Sequence, residues 1–161
     1  MKELSLERIN EKSPYVIKRI KDGFEFLANN GVQYRIYFVE EEPLGGCETM
    51  QFMINKVNDV SAAHDQNVSA ITFLIIDEFF SENDDVLLYI CDTSDHREAG
   101  RNRLFLHWFE KAASPNRFTI RTASSEIEGE CIYAAIIIEN RNPRLQSVLE
   151  EFEQTASALE K

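Results

Sequence analysis

The segment 89–109 is the part of the sequence whose residue types could carry out chemistry. A run of apolar residues ends at Cys91 and is followed at once by acidic and basic residues, as expected where a strand leads into a helix. Free backbone N–H groups at a helix start attract anions, and ligands often bind where the strands of an α/β sheet end. The candidate binding residues of this junction are Asp92, Asp95, Arg97, Arg101 and Arg103.

The arginines of this junction need negative partners. Arg97 and Arg101 lie four residues apart in the first turns of the predicted helix, where the helix dipole disfavours cations. A bound phosphate, carboxylate or nucleotide would compensate their charge, which indicates a small anion- or nucleotide-binding enzyme. Asp92, Asp95 and Glu98 would compensate it as a local ion-pair cluster without any ligand, and the sequence favours this simpler interpretation.

Cys91 is the candidate catalytic residue of the same junction. A cysteine near a helix N-terminus and an arginine can act as a nucleophile, with His96 or His107 as its base. Four apolar residues precede Cys91, so a buried and unreactive thiol is the favoured interpretation. The sequence contains neither a metal-ligand spacing nor a glycine-rich phosphate loop and therefore predicts no cofactor and no metal. Whether the protein is an enzyme stays open, with the balance against it.

The charge of the chain is strongly acidic and unevenly distributed. Its 161 residues include 17 Lys and Arg against 28 Asp and Glu, a formal net charge of −11. Residues 40–98 hold 14 of the acidic side chains and two basic ones, whereas residues 99–123 hold five basic side chains and one acidic one. This balance argues against direct nucleic-acid binding, which needs a broad basic face. An acidic mimic of nucleic acid remains an alternative, beside a protein partner of complementary charge.

The cysteine count and the hydropathy predict a cytoplasmic protein. The three cysteines are an odd number at unrelated spacings, which is typical of a reducing compartment and not of a disulfide framework. No apolar run approaches the ~18 residues of a membrane span, so we expect no membrane association.

The spacing of the apolar residues predicts the strands and helices that position the junction. Residues 1–14 form an N-terminal arm with a short helix, and residues 15–161 form a single α+β domain. Alternating or continuous apolar runs predict seven strands, namely Tyr15–Ile20, Phe24–Phe26, Val32–Phe38, Met50–Ile54, Val86–Ile90, Arg117–Arg121 and Cys131–Ile138. Pro43 is predicted to break the third strand, and Glu40–Glu42 to form a solvated turn.

Three helices are predicted to cover this sheet. The first shows a wide apolar face from Val68 to Phe80, with Asp65 or Asn67 as its N-cap. The second runs from Thr93 or Ser94 to Ala113, and the last follows Asn142. The order ββββ-α-β-α-ββ-α predicts one mixed, mostly antiparallel sheet, whose strand order the sequence leaves open.

Parts of the sequence resemble one family of small bacterial proteins. The strings that carry the resemblance are Cys-Asp-x-x-Asp-x-Arg from Cys91 and Leu-Phe-x-x-Trp-Phe from Leu104, beside the helix before them. The family, found mainly in Bacteroidota, is known only as a domain of unknown function, and the resemblance runs from about Tyr15 to Phe152. It implies a bacterial cytosolic protein and supplies no activity and no catalytic residues.

The sequence therefore favours a non-enzymatic binding or regulatory module. It would act through a protein partner or by self-association, and a homodimer is preferred because most soluble oligomers are homomeric.

Overall fold

The computed structural model describes residues 1–58, 66–91, 109 and 116–159. In these ranges the elements follow in the order α1 (Leu6–Lys12), β1 (Lys18–Ile20), β2 (Gly23–Leu27), β3 (Gln33–Leu44), β4 (Cys47–Lys56), α2 (Gln66–Glu82), β5 (Val86–Cys91), β6 (Phe118–Ile127), β7 (Glu130–Glu139) and α3 (Leu145–Leu159). None of the described helices is long and apolar enough to cross a membrane.

The seven strands form one mixed sheet in the order β1-β2-β3-β4-β5-β7-β6. The pairs β1–β2, β2–β3, β5–β7 and β6–β7 are antiparallel. The α+β prediction, with about seven strands and three helices, is thereby confirmed. The helix predicted from Thr93 or Ser94 to Ala113 lies outside the described residues except for Phe109, which is buried as expected of a core residue.

The chain divides into two compact units. The first comprises Met1–Val39 and Phe52–Asn83, and the second comprises Glu40–Gln51 and Asp84–Lys161. The prediction of an arm at 1–14 and a single domain at 15–161 stays a prediction.

The core of the first unit lies between α2 and one face of its strands. Every residue of the apolar face predicted for α2 is buried: Val68, Ile71, Thr72, Ile75, Ile76, Phe79 and Phe80. The ring of Phe79 stacks on Phe38 of β3 with centroids 5.3 Å apart. Because α2 begins at Gln66, Asn67 lies inside the first turn and is not the N-cap, and its side chain donates to the Tyr15 hydroxyl. The other predicted cap, Asp65, lies outside the described residues.

The short helix α1 is attached to α2 by charge and by apolar burial. Ser5 caps it by accepting a hydrogen bond from the Arg8 N–H. The Arg8 guanidinium pairs with Glu78, 2.5 Å away, and with Glu82. Ile9 is only 2% exposed, so the N-terminal segment is part of the packed unit.

The core of the second unit lies under α3. One cluster joins the hairpin between β3 and β4 to α3 and to strands β5 and β7, and its buried members are Cys47, Val86, Ile136, Ile138, Val148 and Phe152. β5 is less completely buried than its apolar sequence predicts, because Ile90 is 38% exposed.

Strand β3 continues past the point where the sequence predicts a break. Its pairing with β2 ends at Tyr37, opposite Gly23, yet the strand runs on to Leu44. Pro43 lies beyond the last residue of β3 that pairs with β2. The N–H that proline lacks would therefore have no β2 partner, and Pro43 is tolerated in the strand. Glu40–Glu42 are consequently strand residues, and the prediction of a turn was wrong.

Candidate interaction surface

Among the candidate site residues of the predicted junction, only Cys91 is described. Cys91 ends β5, and its backbone lies opposite Tyr133 of β7. The remaining candidates, Asp92, Asp95, Arg97, Arg101 and Arg103, lie outside the described residues. The anion site and the nucleophilic cysteine therefore stay predictions.

Cys47 is the cysteine whose thiol the structure describes. It is buried, donates to the Asp84 carbonyl oxygen over 3.4 Å and accepts from the Asn142 side-chain amide over 3.6 Å. Burial raises the pKa of this thiol above its ordinary value, which the hydrogen bond from Asn142 opposes in part. A thiol held protonated in a core is a poor nucleophile and a poor metal ligand. Within the described ranges, no group of His, Cys, Asp and Glu side chains could hold a metal ion.

The face of the first unit's strands opposite α2 is partly open to solvent. Side chains alternate between the two faces of a strand, so the neighbours of buried residues stand on this open face. In β3, Ile36 is buried, whereas Arg35 and Tyr37 beside it are half-buried and Val39 is exposed. In β4, Phe52 is buried and Met53 is half-buried.

A shallow groove of about 580 Å³ lies on this open face and is open to solvent along its length. Its floor is apolar, with Tyr37, Val39 and Met53 from the central strands and Ile20 from β1. Its polar lining is Lys21, Asp22, Arg35 and Asn55. We call these eight residues the open-face groove.

The charges of the open-face groove are arranged by the antiparallel register. Glu25 lies directly opposite Arg35, and the Arg35 Nε donates to the Glu25 carboxylate over 2.8 Å. This hydrogen bond lowers the pKa of Glu25 below its ordinary value. The pair fixes the guanidinium at the groove, while Lys21 and Asp22 stand at the β1–β2 turn, where Asp22 takes a positive φ of 61°.

The lining of the open-face groove contains residue types that are common in protein interfaces. Small-molecule sites are concave and enclose most of the ligand, whereas this groove is open. Tyrosine, methionine and arginine are enriched at the centres of protein interfaces, with polar residues at the rim.

Sequence reasoning found the strands of this face but not the groove. The signal was present, because Tyr37, Val39 and Met53 are apolar or aromatic residues at positions where alternation predicts solvent-facing polar ones. Three such positions become one surface only when the pairing of β3 with β4 is known.

Comparison with known proteins gives one family. The model described as "Family of unknown function (DUF6169)" matches residues 64–154, so the first 63 residues lie outside the match. No curated protein shows significant similarity to the chain, and neither does any solved structure.

Proposed function

The chain belongs to this family of unknown function, and we propose that it is a non-enzymatic binding or regulatory module that acts through a protein partner or by self-association. The observation that carries the proposal is the open-face groove, with Tyr37, Met53 and Arg35 grouped on a surface that is open to solvent. The cytoplasmic location is part of the proposal, supported by the odd cysteine count and by the free thiol of Cys47.

The groove would bind a folded protein surface or an extended segment of one. Its apolar floor supplies the area that leaves water on binding, and Tyr37 and Arg35 are of the residue types that dominate binding free energies. Arg35 is held by Glu25 before any partner arrives, so little side-chain entropy would be lost at this position.

The experiment compares three forms of the full chain. The double variant Tyr37→Ala with Met53→Ala removes the centre of the groove, and Val16→Ala removes an apolar side chain that is 75% exposed and does not line it. A protein captured by the wild type and by Val16→Ala is purified, and its affinity is measured against all three forms. We expect the double variant to raise the dissociation constant at least about tenfold, since truncating a hot-spot residue at the centre of an interface costs about 2 kcal/mol or more. Equal binding by all three forms would show that the groove is not the recognition surface.

An anion- or nucleotide-binding enzyme centred on Cys91, Asp92, Asp95, Arg97 and Arg101 is the competing proposal, and an acidic mimic of nucleic acid is a third. Arg97→Ala distinguishes the first of these, because it would abolish ligand binding and leave the fold intact. A lowered melting temperature with no ligand found would instead support the local ion-pair cluster.

A further inference from the structure

The two edges of the described sheet differ in how they are protected. Exposed edge strands invite pairing with another chain, and proteins commonly protect them by shortening them or by placing Lys, Arg or Pro on them. The edge strand β1 has three residues, two of which are the exposed Lys18 and Arg19. The other edge strand, β6, has ten residues without lysine or proline, and its charged residues are Arg121 and Glu126.

The register of β6 shows which of its backbone groups point away from the sheet. The Asn140 N–H donates to the Arg117 carbonyl oxygen over 2.8 Å, and this pair continues the β6–β7 register. Hydrogen-bonded and non-bonded pairs alternate in an antiparallel ladder. The odd-numbered residues of β6 therefore direct their N–H and C=O groups to β7, and the even-numbered residues direct theirs outward.

The turn that ends β6 supports the same assignment. Glu128 and Gly129 both have positive φ, 54° and 83°, as the central residues of a type I′ hairpin turn do. Ile127 and Glu130, which flank a turn of this kind, form a hydrogen-bonded pair, so Ile127 belongs to the inward series.

The outward-pointing residues in the middle of β6 are accessible. Thr122, Ser124 and Glu126 are exposed and Ile120 is half-buried. Among the described residues no strand pairs with this edge. The Ile120 carbonyl accepts a hydrogen bond from the side chain of Arg121, its neighbour, at an exposed site that a new strand could take over.

We infer that β6 is the homodimer interface of this protein: it pairs antiparallel with β6 of a second copy around a two-fold axis at Thr122. In this register Thr122 lies opposite Thr122 of the second copy, and Ile120 lies opposite its Ser124. Together with the symmetry-related pair of Ser124 and Ile120, these make three pairs, which would form about six backbone hydrogen bonds, two for each pair. Threonine directly opposite threonine is a favourable cross-strand pair.

Charge complementarity favours a second copy as the occupant and disfavours two of the alternative registers. An axis at Thr122 places Glu126 of the second copy opposite Phe118, whose ring lies 4.7 Å from the guanidinium carbon of Arg117. The Arg117 side chain is 31% exposed and already pairs with Glu139 over 3.1 Å, so the incoming carboxylate would share this cation with Glu139. An axis at Arg121 or at Glu126 would instead set like charges against each other.

The dimer proposal is independent of the open-face groove, because it rests on a different strand. The mass of the full chain is measured by sedimentation equilibrium over a wide range of concentrations. We expect it to rise from monomer to dimer for the wild type, for Thr122→Val and for the groove variant Tyr37→Ala. Thr122→Pro removes an outward N–H and no bond to β7, so it should keep the melting temperature of the dilute, monomeric protein and raise the dissociation constant about thirtyfold. Thr122→Lys should also yield monomer, because it sets two cations against each other at the axis.

Disulfide trapping tests the register. Paired residues of a bonded antiparallel pair have Cα atoms about 5.5 Å apart, which lies within disulfide reach. Thr122→Cys should therefore form a covalent dimer on mild oxidation, and Arg121→Cys, whose partner is Ala123, should not. A monomer at every concentration would overturn the proposal, and so would a dimer that Thr122→Pro and Thr122→Lys leave intact. Equal trapping at 121 and 122 would overturn the register. Capture of a foreign extended peptide by the β6 edge, in a protein that forms no dimer, would also refute the dimer proposal.

Discussion

The hairpin turn between β3 and β4 is predicted to tolerate no side chain at Gly45. A Cβ at this position would lie 2.5 Å from the Val148 backbone nitrogen and 2.6 Å from the Ser147 carbonyl carbon. Both neighbours are backbone atoms of the α3 helix, so no rotamer change relieves the overlap. Gly45 also has a positive φ of 59°, which disfavours any other residue.

The cost of Gly45→Ala combines these two effects. The left-handed backbone alone costs about 1 kcal/mol for alanine. Relieving the overlap moves the turn away from α3 by roughly 1 Å, because ordinary carbon contacts need about 3.5 Å. That movement breaks the hydrogen bond from the Gly45 N–H to the Glu151 carboxylate and loosens Cys47 against Val148. We expect a total loss of about 3 to 4 kcal/mol in the free energy of unfolding.

Gly129→Ala is the matched control. Gly129 also lies in a hairpin turn with a positive φ of 83°, but nothing lies within 4 Å of its Cβ position. Only the backbone effect applies there, so we expect a loss of about 1 kcal/mol. Urea unfolding followed by circular dichroism measures both variants. Losses that agree within about 0.5 kcal/mol would refute the close packing of the turn on α3.

Three further predictions concern titratable groups of the second unit. The buried Oδ2 of Asp85 has no hydrogen-bond partner among the described residues, and burial raises the pKa of this carboxyl. The folded state therefore binds the Asp85 proton more tightly than the unfolded state does. The free energy of unfolding consequently falls as the pH rises through that pKa. Asp85→Asn should add about 1 kcal/mol at pH 7 and nothing at low pH, and a melting-temperature gain that does not depend on pH would contradict this. The side chain of Glu139 is 6% exposed and accepts hydrogen bonds from Arg117 and Arg141 over 3.1 and 3.2 Å. Glu139→Ala should lower the free energy of unfolding by about 2 kcal/mol and Glu139→Gln by less. An unchanged free energy of unfolding for Glu139→Ala in urea would refute a stabilising role of these hydrogen bonds. The Cys47 thiol should react with a thiol reagent only as fast as the protein unfolds, and a fast reaction of the native protein, assigned to Cys47 by mass spectrometry, would show that it is accessible.

Local hydrophobic pattern was enough to predict much of the fold. The face of α2 from Val68 to Phe80 was predicted residue by residue, because burial on one helix side imposes a period that a single sequence displays. Pro43 misled the prediction because its effect depends on whether a neighbouring strand needs its N–H, which is decided by how far β2 extends. The strand order is set by long-range pairing and leaves no local pattern.

The candidate surfaces were less predictable for the same reason. The open-face groove needs residues from three strands, and the free edge of β6 becomes visible only when the register with β7 is known. The chemical signal at Cys91–Arg103 was local and therefore visible in the sequence, but only Cys91 falls within the described residues.

Residues of the β3–β4 hairpin belong to both units, and this limits where the chain can be truncated without loss of a core. The second unit takes its core residue Cys47 from a segment that precedes α2 in the sequence, whereas α2 itself belongs to the first unit. The family match begins at residue 64, after Cys47 and before α2. A fragment of residues 64–154 would lack Cys47, which belongs to the core under α3. It would also contain α2 without the β2 and β3 residues of the first unit. The residues of the match therefore do not complete either core of this chain, since Cys47 and Phe38 both precede residue 64.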